Sequence, residues 1–300
     1  MLKIAYHPIY NHPLPEGHRF PMVKYELLPK QLLHEGTCEP DNFFEPALPN
    51  DKYIVAVHDP EYFYDLMNIK LSPREARKIG FPLSEDLVER ERIIADGTIK
   101  SCVLAIDQGI AFNIAGGTHH AYTGHGEAFC MLNDQAIGAR YLQSKGLAKK
   151  ILIIDLDVHQ GNGTAQIFQG DASVFTFSMH GESNYPFKKE KSDLDIPLKK
   201  GTGDQEYLDI LKKTLPQLID QVRPDFIFYL AGVDVLETDK LGTLGLTVNG
   251  CKQRDELVLQ TCQRHQIPVQ CSMGGGYSPD LRTIVNAHAN TYRLAQDLFF

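Results

Sequence analysis

The chain lacks any CxxC pair. Its six cysteines (Cys38, Cys102, Cys130, Cys251, Cys262, Cys271) are scattered, which fits free thiols in a reducing cytosol better than a disulfide framework. No stretch approaches the ~20 apolar residues of a membrane span. The N-terminal MLKIAYHPIY has no long apolar run of the signal-peptide kind, so the expected location is cytoplasmic, without a membrane span. Positive charge is not in excess either: 30 Lys and Arg stand against 38 Asp and Glu, a net charge of −8. That balance disfavours nucleic acid or an anionic membrane as partner and tolerates a cationic one, although a modest negative charge also simply keeps a protein soluble. There is no Ser/Gly-rich linker, long charge run, internal repeat or low-complexity tract. The 300 residues, 43% hydrophobic, therefore read as one soluble domain spanning 1–300, large enough to bury a core without disulfides.

What is present is an alternation of apolar β-rich runs with segments of helical length, the pattern of a mainly parallel α/β sheet flanked by helices. Ile151–Asp155, Val174–Ser178, Phe226–Leu230 and Val269–Ser272 are the clearest strands, with LKIAY at Leu2 and AFNIA at Ala111 weaker. Asn133–Lys145, Gln205–Gln221, Asn249–His265 and Pro279–Leu298 read as helices, with Asp204 and Ser278 as capping residues. Cys38–Pro82 is irregular, with a short helix after Asp59-Pro60. In such a sheet ligands sit beyond the carboxyl ends of the strands, and the unusual polar residues fall there.

After the ILII strand comes Asp155-Leu156-Asp157-Val158-His159-Gln160-Gly161-Asn162-Gly163. Asp155, Asp157 and His159 share one alternation parity, so persisting strand geometry would point all three to one side. A carboxylate and an imidazole two residues apart suit a borderline metal such as zinc, and hydrolysis needs an O/N set with an open position. Asp157 and His159 are two ligand candidates; a salt-bridged or capping cluster is the alternative. Phe226–Leu230 runs into Ala231-Gly232-Val233-Asp234, which puts Asp234, otherwise a cap or turn residue, at the same sheet edge as a third. Gly116-Gly117-Thr118-His119-His120 follows AFNIA; adjacent histidines are ordinarily surface or packing residues, but the two glycines let this loop approach a ligand closely. Met273-Gly274-Gly275-Gly276-Tyr277 could carry a phenol into a site or be a bare turn, and phosphate binding is disfavoured because no Lys-Ser/Thr pair follows.

In these segments, GGTHHA, FCMLND, IDLDVHQGNG, AGVD and GGGY in that order, the sequence resembles the histone deacetylase family of the arginase/deacetylase fold over nearly its whole length. The resemblance implies about eight strands and an amidohydrolase acting on acyl-lysine proteins or peptides. It implies zinc on Asp157, His159 and Asp234, with water and the substrate amide oxygen filling the other positions; the same O/N set accepts iron. His120 becomes general base and then acid, His119 supports transition-state charge, and Tyr277 donates to the oxyanion. Asp155 orients His119 and contributes to a structural potassium site with Asp157, His159, Ser178 and Met179; a second potassium maps near Phe168, Asp171 and Val174. Phe129 and Tyr185 match the walls of an acyl-lysine tunnel, Gly275 and Gly276 are further substrate-binding positions, and Arg19 resembles an arginine lining an internal channel behind the zinc.

Two departures stand out. Asn162 replaces the aspartate that would orient His120, which lowers the expected proton affinity of that imidazole, and the HQGNG form resembles class IV and bacterial members. Ala128 replaces a glycine before the tunnel phenylalanine. Two rival readings are an acetylpolyamine amidohydrolase of the same fold, for which no mouth-narrowing insertion is obvious, and a silent acyl-lysine reader, against which the complement of chemical residues argues. A ureohydrolase with two manganese ions would require more paired carboxylates. Oligomeric state is not legible.

Overall fold

The computed structural model covers residues 1–300. In chain order the strands are Lys3–Ala5 (β1), Phe43–Phe44 (β2), Ile110–Asn113 (β3), Ile151–Asp155 (β4), Val174–Gly181 (β5), Leu194–Leu198 (β6), Phe226–Leu230 (β7) and Val269–Ser272 (β8). They form one sheet in the order β2-β1-β3-β8-β7-β4-β5-β6, with every neighbouring pair parallel. The helices are Lys24–His34 (α1), Pro60–Met67 (α2), Pro73–Ile79 (α3), Glu85–Gln108 (α4), Asp134–Ser144 (α5), Asn162–Ile167 (α6), Asp204–Val222 (α7), Val248–His265 (α8) and Leu281–Phe299 (α9). Most of the connections between parallel strands run through them, as parallel pairing requires.

Strands β3, β4, β7 and β8 are buried along their whole length. This is why β4 and β7 are written as near-continuous apolar runs and not as alternation, while β8 buries Gln270 and Ser272 between its apolar residues. Their register fixes the site: Asn113 pairs with Ser272, Ser272 with Leu230, and Leu230 with Asp155. The last residues of four adjacent strands thus form one row across the sheet. The loops that follow, from Ile114, Leu156, Ala231 and Met273, leave at the same level and are forced together. A continuous core of 78 buried residues lies beneath them.

The strands expected from apolar runs are all present, with β5 continuing to Gly181. Several elements carry no such signal, β6 and α4 among them. β6 is an edge strand with Pro197 in it and only Leu198 buried, so it has no apolar face to announce it. α4 packs against β1, β3, β8 and α5, and it buries Arg90, Glu91, Asp96 and Gly97 among its apolar residues, which breaks the stripe that marks a helix. Both expected caps are corrected. α7 is capped by Gly203, while the Asp204 carboxylate instead accepts from Thr247 N and Oγ1 at 2.8 and 2.7 Å. α9 is capped by Asp280, which accepts from Arg282 N and Thr283 N; Ser278 is buried and bonds Thr238 Oγ1 at 2.8 Å.

Candidate active site

The β4 strand stops at Asp155, so the common direction of Asp155, Asp157 and His159 is set by the turn that follows and not by strand alternation. That turn is wired through its own carboxylates. Asp155 Oδ1 accepts from Asp157 N at 3.1 Å, Asp157 Oδ1 from His159 N at 3.0 Å, and Asp234 Oδ1 from Val158 N at 2.9 Å. The outcome is that His159 Nδ1 lies 3.0 Å from Asp157 Oδ1 and 3.2 Å from Asp234 Oδ2. Asp157, His159 and Asp234 are all buried, and they present ligand atoms within 4.8 Å of one another.

Two glycines make room for this convergence. A Cβ on Gly275 would run into Asp234 Oδ2 and one on Gly232 into Asp157 Oδ2. The Gly275 amide instead donates to Asp157 Oδ2 at 2.8 Å. Asp234 Oδ2 is buried without a hydrogen-bond partner, and such an oxygen is costly unless something cationic meets it. Without a metal, a proton serves: burial would depress His159, but Asp157 and Asp234 outweigh it and raise the imidazole to about 10. Two carboxylates, one imidazole and an unmet buried oxygen fit a divalent ion such as zinc.

The paired histidines stand on the loop after β3. Gly116 and Gly117 take φ of +83° and +75°, a left-handed turn that glycine alone makes without strain. The Asp134 carboxylate accepts from Gly117 N and Thr118 N, both at 2.9 Å. His119 Nδ1 is 2.7 Å from Asp155 Oδ2 and His120 Nδ1 is 2.6 Å from Asn162 Oδ1. The two imidazoles therefore sit in different fields. Burial opposes a charge on His119, yet Asp155 and Asp157 raise its proton affinity. Burial pushes His120 well down, helped by the charges of His119 and His159, and no carboxylate touches it.

His119, His120, Asp157 and His159 line the wall of a cavity of about 480 Å³, together with Phe129, Tyr185, Gly275 and Tyr277. Phe129 projects from a turn in which Ala128 and Phe129 have φ of +47° and +69°. Ala128 holds the left-handed conformation for which glycine is better suited, at a cost of order 1 kcal/mol. Two bonds pin the turn: Ala128 N to Lys78 O at 2.8 Å and Phe129 N to Ile79 O at 2.6 Å. Tyr185 stands edge-on to His120, with ring centres 5.0 Å apart. Tyr277 lies 5.8 Å from the Phe20 ring and 6.2 Å from Phe129.

Arg19 requires correction. It is exposed, with its guanidinium 4.9 Å over the Phe129 ring, and no exposed residue lines an enclosed channel. The buried cations near the cavity are Lys24 and Arg90. Lys24 Nζ donates to Gly274 O at 3.1 Å, and burial lowers it to about 8; Arg90 Nε donates to Tyr10 O at 2.9 Å. At the other expected cation positions the protein groups also bond one another. Ser178 Oγ is 2.9 Å from His180 Nδ1 and Met179 is core. Phe168 O accepts from Asp171 N at 3.0 Å and Asp171 O from Val174 N at 3.3 Å. The Asp171 carboxylate pairs with Arg140 at 2.6 Å, whose guanidinium lies 4.9 Å over the Phe168 ring.

One organising residue carries no motif. Asp239 accepts from Leu241 N and Gly242 N, both at 2.8 Å, and from Tyr277 N at 2.6 Å, tying the loop after β7 to the phenol. An aspartate two residues before Leu-Gly looks like an ordinary turn former, so only the fold exposes its role.

Comparisons with known proteins place the chain in context. The family model for the histone deacetylase domain matches residues 18–292. An uncharacterized protein of Picosynechococcus sp. is 47% identical over 296 residues, covering 99% of both chains. Histone deacetylase 2 of Arabidopsis thaliana is 28% identical, covering 92% of this chain and 74% of its own. The acetoin utilization protein AcuC of Staphylococcus aureus strain COL is 26% identical, covering 92% and 77%. Among solved structures, a histone deacetylase homologue from Aquifex aeolicus superposes with a TM-score of 0.81 at 24% identity, covering 97% of this chain and 82% of that one.

Proposed function

The chain belongs to the histone deacetylase family, and from that premise we propose that it is a zinc-dependent hydrolase of the N-ε-acyl-lysine amide in proteins or peptides, with one catalytic domain over 1–300. The observation that carries this reading is the convergence of Asp157, His159 and Asp234, with its unpartnered Asp234 oxygen, where Asp157 and His159 reach the wall of a cavity shared with His119, His120 and Tyr277. When bound there, zinc would polarise the acyl carbonyl and acidify a water. Iron fits the same donors, and a potassium ion beside Asp155 and Ser178 belongs to the same proposal.

The chain's own groups supply the rest. Asn162 Oδ1 receives the Nδ1 proton of His120, which leaves Nε2 as the atom that takes a proton from water and returns it to the departing lysine amine. Its depressed proton affinity keeps that imidazole neutral at physiological pH, ready to act as base. His119, whose proton affinity Asp155 and Asp157 raise against burial, stabilises negative charge as it develops. Tyr277, whose ionisation burial pushes well up, stays a donor to the oxyanion. Phe129 and Tyr185 flank the uncharged acyl-lysine stem.

The polyamine reading is disfavoured by the cavity wall. Asp157, a candidate ligand, is its only carboxylate, while Arg19 and Lys78 contribute exposed positive charge, Arg90 being paired with the buried Glu91; a polycation would meet repulsion there. The test is release of free acid from lysine peptides bearing graded acyl chains, with metal content quantified in the same sample. Acid release that tracks zinc occupancy is the expected result. A zinc-loaded protein that binds acyl-lysine peptide without releasing acid would reassign it as a reader.

A further inference from the structure

The replacement of a carboxylate by Asn162 behind His120 creates a problem that the fold answers nearby. An aspartate offers oxygen on both sides, but an amide offers an acceptor on one side and a donor on the other. If the amide turned its nitrogen to His120, it would donate to Nδ1, the proton would move to Nε2, and the lone pair facing the cavity would be lost. Something must hold the amide the right way round.

Asn162 Nδ2 lies 2.7 Å from Glu127 Oε1 and 3.0 Å from Tyr122 Oη. Tyr122 points its own hydroxyl at Glu190 Oε1, 3.3 Å away, but a hydroxyl can reverse its role, whereas a carboxylate only accepts. Glu127 is therefore the partner that forbids the flipped amide. Its side chain is 14% exposed, and its other oxygen faces His125 Nε2 at 3.8 Å. It stands immediately before the strained turn of Ala128 and Phe129, whose bonds to Lys78 and Ile79 fix its backbone.

We propose that Glu127 is a positioning residue that acts through Asn162: accepting from Nδ2, it locks the amide with Oδ1 toward His120 and so holds that imidazole in the Nδ1–H tautomer. The functional consequence rests on the acyl-lysine hydrolase reading; the tautomer does not.

The test joins two readouts on the zinc-loaded full chain. Long-range proton–nitrogen NMR of the histidine rings reports the His120 tautomer without turnover. Nδ1–H is expected in the wild type and a shift toward Nε2–H in Glu127→Leu; an unchanged tautomer in that variant overturns the proposal. In kinetics, Glu127→Gln keeps the shape and weakens the selection, so kcat should fall about tenfold with KM within about twofold. Asn162→Asp alone sets two carboxylates against each other at the present 2.7 Å contact and should lose activity comparably. The double variant combining Glu127→Gln with Asn162→Asp swaps donor and acceptor across that contact, the introduced amide now donating to the introduced carboxylate. It should recover to within about threefold of wild type. A double variant no better than Asn162→Asp alone would sink the idea, since a merely structural Glu127 gives no reciprocal rescue. A wild type that releases no acid, yet shows the Glu127-dependent tautomer, sinks the substrate reading and leaves this one standing.

Discussion

Asp234 carries one buried oxygen bonded to Val158 N and another that meets only His159, so its two halves do different work. Asp234→Asn keeps a group of the same shape and removes the charge. We expect metal affinity to fall by at least about 100-fold, more than is usual for residues behind the ligands, with the far-ultraviolet circular dichroism unchanged; a fully loaded variant by metal analysis would contradict the ligand set. Tyr277→Phe should do the reverse: zinc stays, while turnover drops about 100-fold, the value of one oxyanion donor. At this scale the sequence was informative wherever spacing encodes convergence. Asp157 and His159 are two residues apart after a strand, and Asp234 follows another. It was uninformative about depth. Arg19 and Lys24 lie five residues apart on one loop-to-helix segment, one exposed and the other buried, and only packing decides which of them sits inside.

The loop from Tyr122 to Asn133 carries Glu127 and Phe129, and it is held at both ends by one imidazole. His58, in the chain just before α2, has Nδ1 2.9 Å from Tyr122 O and accepts from Asn133 N at Nε2, also at 2.9 Å. A neutral ring satisfies both partners; a second proton would break the bond to Asn133, the cap of α5. Burial accordingly lowers His58 from 6.5 to about 4. Between those values the unfolded chain binds more protons than the folded one, so the contribution is complete above about pH 6.5 and is lost as pH falls toward 4, by at most about 3 kcal/mol. Urea unfolding should show the stability gap between wild type and His58→Gln narrowing as the pH is lowered through that window; a constant gap would place the proton elsewhere. Nothing in the sequence around His58 announces this clamp, because its two partners are more than sixty residues away. The same holds for α4, whose buried Arg90 and Asp96 bond Tyr10 O and Ala47 N, far away in the chain. Strands β4 and β7 were legible to the residue because complete burial writes them as near-unbroken apolar runs.

Across the whole molecule, sign and placement of charge separate. The chain carries −8, and at long range it attracts cations. The cavity has the opposite bias, with Arg19 and Lys78 exposed among its lining residues. Composition could suggest a cationic partner, but it could not reveal that Arg19 and Lys78 stand among the cavity's lining residues, since that requires the fold. The two scales predict different substrates, and the nearer one should win, because screening leaves charges beyond ~8–10 Å weak at physiological ionic strength. An acetyl-lysine peptide should therefore be turned over with a kcat/KM at least about tenfold above that of a monoacetylated polyamine. Replacing both cations, Arg19→Glu with Lys78→Glu, should raise the polyamine rate and compress that ratio, and added salt should compress it in the wild type as well. If the wild type prefers the polyamine and the double charge reversal leaves the preference unchanged, the lining charges do not select the substrate, and the polyamine reading replaces the lysine one.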